Sequence, residues 1–153
     1  MERVTRWALD ILAAEDTPSD IELLKLALER CGDVRSLQIV RDGIEVLSYL
    51  KGEPPFNEPG RQAPNIIFMD LKMPRMTGLE VLQWLRQHPE CSVIPVIIMS
   101  ASTLDRDVLE AYRLGANAYF QKPTDFGELE KIIRTILEFW SHAKRPPVTK
   151  FPC

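Results

Sequence analysis

Five short apolar runs alternate with longer helical patterns along the chain. The runs lie at residues 9–14, 37–40, 65–69, 95–99 and 117–121. Their brevity and their content of β-branched residues are typical of strands that are buried on both faces of a parallel sheet. Because parallel strands are joined by right-handed crossovers, the alternation predicts an α/β fold with a central sheet covered by helices on both faces.

The segment after the last run shows the clearest helical pattern. Its apolar residues recur at the spacing of one helix face, at Leu129, Ile132, Ile133, Ile136, Leu137 and Trp140. Phe139 lies off this face. Helix starts are predicted at "TPSD" (17–20), "TGLE" (77–80) and "DFGE" (125–128), because each places a capping side chain before a first turn.

Composition restricts the class of protein. The chain has 153 residues, of which 45% are hydrophobic, so one domain can bury a core without disulfides or a structural metal. The net charge of −3 gives no general attraction to nucleic acid or to an anionic membrane. No apolar stretch approaches the roughly 20 residues that span a bilayer, and the first residues show no signal-peptide h-region. We expect a cytoplasmic protein without nucleic-acid or membrane partners.

The cysteines are Cys31, Cys91 and Cys153. They are odd in number, widely spaced and part of no CxxC or Cys/His cluster, which speaks against a disulfide framework and a zinc site. The sequence therefore predicts three free thiols in a reducing compartment.

Two segments do not fit the repeat. Residues 51–65 contain four of the twelve prolines and exceed the usual two to six residues of such connections. This segment is either a tolerated surface insertion or a partner-binding loop. Residues 143–153 follow the predicted domain at 8–142 and are rich in proline, so we expect a flexible tail unless a partner orders it.

Polar side chains follow the apolar runs. Glu15 and Asp16 follow the first run, Asp70 the third, Ser100 the fourth and Lys122 the fifth. In an open parallel sheet the carboxyl ends of the strands meet at one edge, where ligands bind. An ionised aspartate at the end of a buried strand costs free energy unless a cation or hydrogen bonds compensate it. The sequence therefore predicts one polar site at this edge.

Three carboxylates at such close range repel one another by several kcal/mol per pair even at an effective dielectric of about 20. A hard cation relieves this repulsion. Mg²⁺ suits the site better than zinc, because neither His88 nor His142 lies near this edge. A lysine ammonium and a serine hydroxyl beside the metal would accommodate phosphoryl oxygens, so we expect phosphorylation of Asp70.

Four motifs together resemble the response-regulator receiver domain of two-component signalling. They are "AED" at 14–16, "FMDLKMPRMTGLE" at 68–80, "MSAS" at 99–102 and "YFQKP" at 119–123. The resemblance covers about residues 8–140. It implies a flavodoxin-like, doubly wound sheet of five parallel strands in the order 2-1-3-4-5, which is the strand order of this family.

The resemblance also implies a metal site and a phosphorylation site. Asp70 would accept a phosphoryl group from a sensor histidine kinase. Asp16 would ligate Mg²⁺ directly and Glu15 through water, and the backbone carbonyl of Lys72 would complete the protein ligands. Lys72 and Ser102 stand at positions that tune dephosphorylation in this family.

A switch is implied in the same way. Ser100 would bond the phosphoryl oxygen and move inward, and Tyr119 would follow it from an outward to an inward rotamer. Lys122 would pair with the phosphoryl group, and its bond to Pro123 would be cis. Ser100 stands where threonine is frequent, and Thr17 stands where asparagine is common, a change we interpret as capping only.

A narrower resemblance concerns the long loop before the third strand and "FW" at 139–140. Both are similar to stand-alone regulators that partner bacterial phytochromes, which makes a bacterial phytochrome a candidate kinase. An apolar residue off the core face, as at Phe139, suggests a partner surface. A homodimer through the last helix and the tail is one possibility, and a surface without a partner is the other.

Three functions remain open. The first is a single-domain response regulator, in which the charge of about −1.5 to −2 added by phosphorylation biases a surface of the fourth and fifth helical regions toward a protein partner. Such a protein is no enzyme beyond its own phosphoryl transfer and slow dephosphorylation. The second is a phosphate sink without a partner. The third is an aspartyl-phosphate phosphohydrolase, which would need a second acid where Lys72 stands.

Overall fold

A computed structural model of the chain describes residues 8–153. Residues 1–7, which belong to the segment without a signal-peptide h-region, lie outside the described residues. Five parallel strands form one sheet in the order β2-β1-β3-β4-β5, which confirms the predicted doubly wound, flavodoxin-like topology. The strands are β1 (Leu9–Ala14), β2 (Val34–Val40), β3 (Ile66–Met69), β4 (Val96–Ser100) and β5 (Ala118–Gln121). β2 begins before its apolar run because it is an edge strand with several exposed residues.

Six helices connect and follow these strands in the described part of the chain. They are α1 (Pro18–Cys31), α2 (Gly43–Lys51), α3 (Gly78–Arg86), α4 (Pro89–Ser92), α5 (Asp105–Arg113) and α6 (Phe126–His142). The sequence pattern did not predict α4, which is a single turn. Within residues 8–153, no helix combines the length and the apolarity needed to cross a membrane.

The sheet separates two apolar cores. Successive residues of β3 point to opposite faces, so that Ile67 and Met69 belong to one core while Ile66 and Phe68 belong to the other. Helices α2, α3 and α5 cover the first core, and α1 and α6 cover the second. The central strands are buried on both sides, which explains why their sequences are continuously apolar.

Two of the three helix starts carry the predicted caps. At α3, the Thr77 hydroxyl accepts a hydrogen bond from the Glu80 amide at 3.2 Å, and the Glu80 carboxylate accepts one from the Thr77 amide at 3.2 Å. At α6, the Asp125 carboxylate accepts a hydrogen bond from the Glu128 amide at 3.2 Å. These caps satisfy backbone donors that have no partner inside the helix.

The start of α1 differs from the prediction. Pro18 begins the helix as expected, but the side chain of Thr17 makes no capping hydrogen bond. The Thr17 amide instead donates to the Glu15 carboxylate at 3.1 Å. The capping role predicted for Thr17 is therefore wrong: its hydroxyl makes no capping bond, and the Glu15 carboxylate accepts the amides of Asp16 and Thr17 before the helix.

The end of the chain packs against α2 and the long loop before β3. The Cys153 amide donates to the Leu50 carbonyl at 2.8 Å. The guanidinium of Arg61 lies 4.3 Å from the ring centroid of Tyr49 and 5.3 Å from that of Phe151. The sequence predicts a flexible tail, whereas the structure gives its end specific partners. Composition could not show them, because the partners come from distant segments.

A disulfide joins Cys91 in α4 to Cys153, with 6.2 Å between their Cα atoms. Cys31 is a free thiol. The prediction of three free cysteines is therefore wrong for two of them. The two bridged residues are 62 positions apart in the sequence, so only the folded chain brings them together.

Thiol counting tests this bridge. Under denaturing conditions without reductant, we expect one reactive thiol per chain, Cys31, and three after reduction. Cys153→Ser should lower the free energy of unfolding by about 2–4 kcal/mol, because the bridge restricts the unfolded chain. Cys31→Ser is the matched control and should leave the unfolding midpoint nearly unchanged. Three reactive thiols before reduction would contradict the bridge.

Candidate functional site

The carboxyl ends of β1, β3 and β5 bring charged side chains together at one edge of the sheet. Glu15 and Asp16 come from β1, Asp70 from β3 and Lys122 from β5. Each of Glu15, Asp16 and Asp70 has a carboxylate oxygen that lies within 4.8 Å of those of the other two. The parallel topology produces this cluster, because all three strands end at the same edge.

Lys122 is the cation at the centre of this site. Its Nζ lies 2.7 Å from Glu15 Oε2, 2.9 Å from Asp70 Oδ2 and 3.0 Å from Asp20 Oδ2. Asp20 is a site residue that the sequence interpretation missed. Its position in the first turn of α1, directly after the β1 carboxylates, is the signal that could have identified it.

The charges of the site shift its pKa values. Burial works to lower the pKa of Lys122, but its hydrogen bonds to Glu15, Asp70 and Asp20 outweigh burial and raise that pKa above its ordinary value. Lys122 is therefore charged at neutral pH. Burial raises the pKa of Glu15, against the lowering effect of Lys122 and of the Thr17 amide.

The backbone around Asp70 is held by hydrogen bonds and by a close approach. The Asp70 amide donates to the Ala14 carbonyl at 3.1 Å, and Asp70 Oδ1 accepts from the Lys72 amide at 3.3 Å. The Gly78 amide donates to the Leu71 carbonyl at 2.8 Å. A Cβ at Gly78 would lie 2.3 Å from the Asp70 carbonyl oxygen, so only glycine allows α3 to begin here.

The loop after Asp70 is also anchored to α2. Asp42 accepts hydrogen bonds from the Glu45 amide and from Arg75 Nε, both at 2.8 Å. Arg75 has a φ of 63°, a left-handed conformation that residues other than glycine rarely adopt. The Gly43 amide donates to the Met76 carbonyl at 3.1 Å. These contacts hold the loop in a conformation that its own sequence does not favour.

Ser100 and Tyr119 both bond to Ser102. The buried Ser100 hydroxyl accepts a hydrogen bond from the Ser102 amide at 3.2 Å, and the Tyr119 hydroxyl donates to the Ser102 carbonyl at 2.9 Å. The Lys122 amide donates to the Ser100 carbonyl at 2.8 Å. In the described part of the chain, no hydrogen bond joins Ser100 to Asp70. The predicted switch residues therefore lie next to the charged cluster and meet one another at Ser102.

The peptide bond between Lys122 and Pro123 differs from the expectation. Among the residues described, the cis bonds precede Pro55 and Pro152, and the Lys122–Pro123 bond is trans. The trans isomer is ordinarily the more stable one, by about 0.5–1 kcal/mol for a bond before proline. Lys122 reaches the carboxylates with this isomer.

The donor set suits a divalent cation. Glu15, Asp16 and Asp70 offer carboxylate oxygens, which are the ligands that hard cations prefer. In the described part of the chain, no histidine or cysteine belongs to this acidic group. The cluster therefore fits an oxygen-seeking divalent metal.

Comparison with known proteins defines the class. The family profile of the response regulator receiver domain matches residues 11–134, and the chain belongs to this family. Receiver domains are signalling modules that histidine kinases phosphorylate and that bind a divalent metal at an acidic site. The resemblance stated from the sequence motifs is thereby confirmed.

Three response regulators are similar to this chain over most of its length. Response regulator Rcp1 of Synechocystis sp. is 32% identical over 130 residues, which cover 85% of this chain and 87% of Rcp1. Its Mn²⁺-bound structure has a TM-score of 0.79 at 28% identity and covers 90% of this chain and 99% of that one.

The phosphorylated cyanobacterial phytochrome response regulator RcpA has a TM-score of 0.83 at 33% identity, over 92% of this chain and 99% of that one. RPA3017, a response regulator in red light signaling of R. palustris, has a TM-score of 0.82 at 34% identity, over 90% and 97%. These relatives confirm the narrower resemblance to stand-alone phytochrome response regulators.

Lys122→Met tests the charge balance of the site. We expect a loss of about 2–3 kcal/mol in the free energy of unfolding at pH 7 without divalent metal, since Glu15 and Asp70 would lose their cation. This is below the range for a fully buried pair, because 20% of the Lys122 side chain is exposed. The loss should shrink toward pH 4, because burial raises the pKa of Glu15 and protonation of Glu15 removes its repulsion with Asp70.

Denaturant titrations at both pH values measure this effect. Lys131→Met is the matched control, because Lys131 is exposed on α6 and the substitution removes the same charge. A loss that is the same at pH 7 and pH 4 would contradict the electrostatic role of Lys122.

Proposed function

We propose that Asp70 accepts a phosphoryl group from a histidine kinase and that the protein signals through contacts that depend on this modification. The position of Asp70 carries the proposal. Its carboxylate lies 2.9 Å from the Lys122 ammonium and belongs to the acidic cluster with Glu15 and Asp16. A nucleophilic carboxylate beside a cation and a metal site is suited to phosphoryl transfer.

Glu15, Asp16, Asp70 and the backbone carbonyl of Lys72 would hold Mg²⁺. When bound, the metal would supply positive charge that offsets the charge of the phosphoryl oxygens. The carboxylate cluster and the Mn²⁺-bound structure of the relative Rcp1 support a divalent metal here. The choice of Mg²⁺ follows from the preference of this ion for oxygen ligands and for partial completion by phosphate.

The side chains of the site have separate roles in the transfer. A carboxylate oxygen of Asp70 forms the new bond to phosphorus as the bond from phosphorus to the kinase histidine nitrogen breaks, and the histidine keeps that electron pair. The Lys122 ammonium donates a hydrogen bond to a phosphoryl oxygen. The Ser100 hydroxyl, at the end of β4, is the second donor.

The link from this site to the surface runs through Ser102. The Ser102 amide bonds to Ser100, its carbonyl bonds to Tyr119, and its hydroxyl donates to Asp107 in the first turn of α5 at 2.5 Å. If the phosphoryl group draws the Ser100 hydroxyl away, the Ser102 amide loses its acceptor. A shift at Ser102 would then be passed to α5, which biases an equilibrium between two arrangements of this surface.

The kinase partner is proposed from the relatives. RcpA is a phytochrome response regulator and RPA3017 acts in red light signaling, so we propose a bacterial phytochrome or a similar sensor kinase for this chain. A cytoplasmic location remains a prediction from the sequence. A phosphate sink would use the same site without a partner. A phosphohydrolase is disfavoured, because the exposed Lys72 stands where its second acid would be needed.

Phosphorylation by a small donor tests the proposal. Incubation with acetyl phosphate and Mg²⁺ should add one phosphate per chain, detected by intact mass spectrometry. We expect this because Asp70 lies next to the other proposed metal ligands and to Lys122. Asp70→Asn should abolish the gain. Asp105→Asn, which makes the same change at an exposed position of α5, is the matched control and should retain it.

The result also separates the alternatives. No mass gain in the wild type, with or without Mg²⁺, would contradict phosphorylation at Asp70. Many turnovers of a small phosphate ester would favour the phosphohydrolase. Capture of a partner only in the presence of beryllofluoride would favour the signalling protein over the phosphate sink.

A homodimer is the second part of the proposal on partners. Phe139 on α6 is 62% exposed, and its ring contacts Trp140 edge-on with 5.2 Å between the centroids. Phe139 and the partly exposed Trp140 together form an aromatic pair at the surface of α6, which we propose as the contact surface. Because the end of the tail packs on α2, we place the contact on α6.

Phe139→Glu should convert a dimer to a monomer, because it places a charge in an apolar contact. Size-exclusion chromatography with light scattering measures the mass with and without beryllofluoride. Leu26→Glu, at a 40% exposed position of α1, is the matched control and should leave the mass unchanged. A wild type that is monomeric in both states would contradict the dimer.

A further inference from the structure

The ammonium of Lys122 is surrounded by three carboxylates in this structure. An ammonium offers three N–H donors, and the three carboxylates of Glu15, Asp70 and Asp20 lie at 2.7, 2.9 and 3.0 Å from Nζ. Phosphorylation removes the carboxylate charge of Asp70, so a phosphoryl oxygen can take over the bond from Lys122 to Asp70. Glu15 and Asp20 then remain as carboxylates that compete with the phosphoryl group for the ammonium.

Exposure decides which of these two competitors gives way. The side chain of Glu15 is 7% exposed, whereas that of Asp20 is 37% exposed. A buried carboxylate that loses its partner stays unsatisfied, while an exposed one regains water. Asp20 also lies outside the acidic cluster of Glu15, Asp16 and Asp70, so a metal bound by that cluster would not have Asp20 as a ligand.

We propose that Asp20 is a positioning residue that binds the ammonium of Lys122 and competes with the phosphoryl group for it. This role rests on the function proposed above for Asp70. In the unmodified state, Asp20 helps to hold the ammonium against Asp70. In the modified state, its negative charge competes with the phosphoryl oxygens for that ammonium. Asp20 thus sets how strongly the site retains an anion.

Removal of this charge should strengthen anion binding. With Mg²⁺ present, we expect Asp20→Asn to bind beryllofluoride about three- to tenfold more tightly than the wild type at low salt, since the competing carboxylate is gone. The difference should shrink in high salt, because Asp20 is partly exposed and its charge is screened. A residue with only a structural role would not produce this salt dependence.

Two variants serve as controls. Glu22→Gln removes the same charge from the same helix, at a side chain that is 76% exposed and lies 3.9 Å from Lys25. It should bind beryllofluoride like the wild type. Asp20→Glu keeps the charge and should stay closer to the wild type than Asp20→Asn.

Nuclear magnetic resonance titration with beryllofluoride and Mg²⁺ measures the bound fraction from the amide signals of Lys72 and Ser102. Equal or weaker binding by Asp20→Asn would overturn the role of Asp20 and leave the function of Asp70 standing. An equal gain in Glu22→Gln would overturn it as well. Failure of the wild type to bind, together with no mass gain from acetyl phosphate, would overturn both. Thermal unfolding of each variant verifies that it is folded.

Discussion

One ammonium group makes this sheet edge possible. Glu15 and Asp70 end buried strands, where an ionised carboxylate without a partner would cost several kcal/mol. Lys122 lies within 3.0 Å of both, and its raised pKa keeps it charged. The same ion pairs that stabilise the fold thereby place a cation beside Asp70, the proposed nucleophile. Structure and function at this edge depend on one interaction.

The contacts around Asp70 differ between the side of α2 and the side of α5. On the α2 side, Asp42 and Arg75 hold the loop in a conformation that it would not adopt alone. On the α5 side, Ser100 and Tyr119 are joined through single hydrogen bonds to Ser102. We therefore propose that a change of charge at Asp70 is transmitted toward α5, because Ser102 connects Ser100 and Tyr119 to Asp107 in α5.

The sheet and the main site residues could be predicted because buried parallel strands are continuously apolar and end at a shared edge. Features that depend on contacts between distant segments of the chain could not be predicted. The bridge between Cys91 and Cys153 joins residues with no local signal in the sequence. The sequence places Asp20 in the first turn of α1, but its contact with Lys122 depends on how α1 lies against the sheet.

The loop after Asp70 leaves one side chain without a structural task. Gly78 and the amide of Lys72 set the backbone next to Asp70, while the Lys72 side chain points to solvent and is exposed. Position 72 can therefore vary in chemistry without moving the loop. An environment-sensitive dye attached there would lie beside the acidic cluster and report changes in its charge.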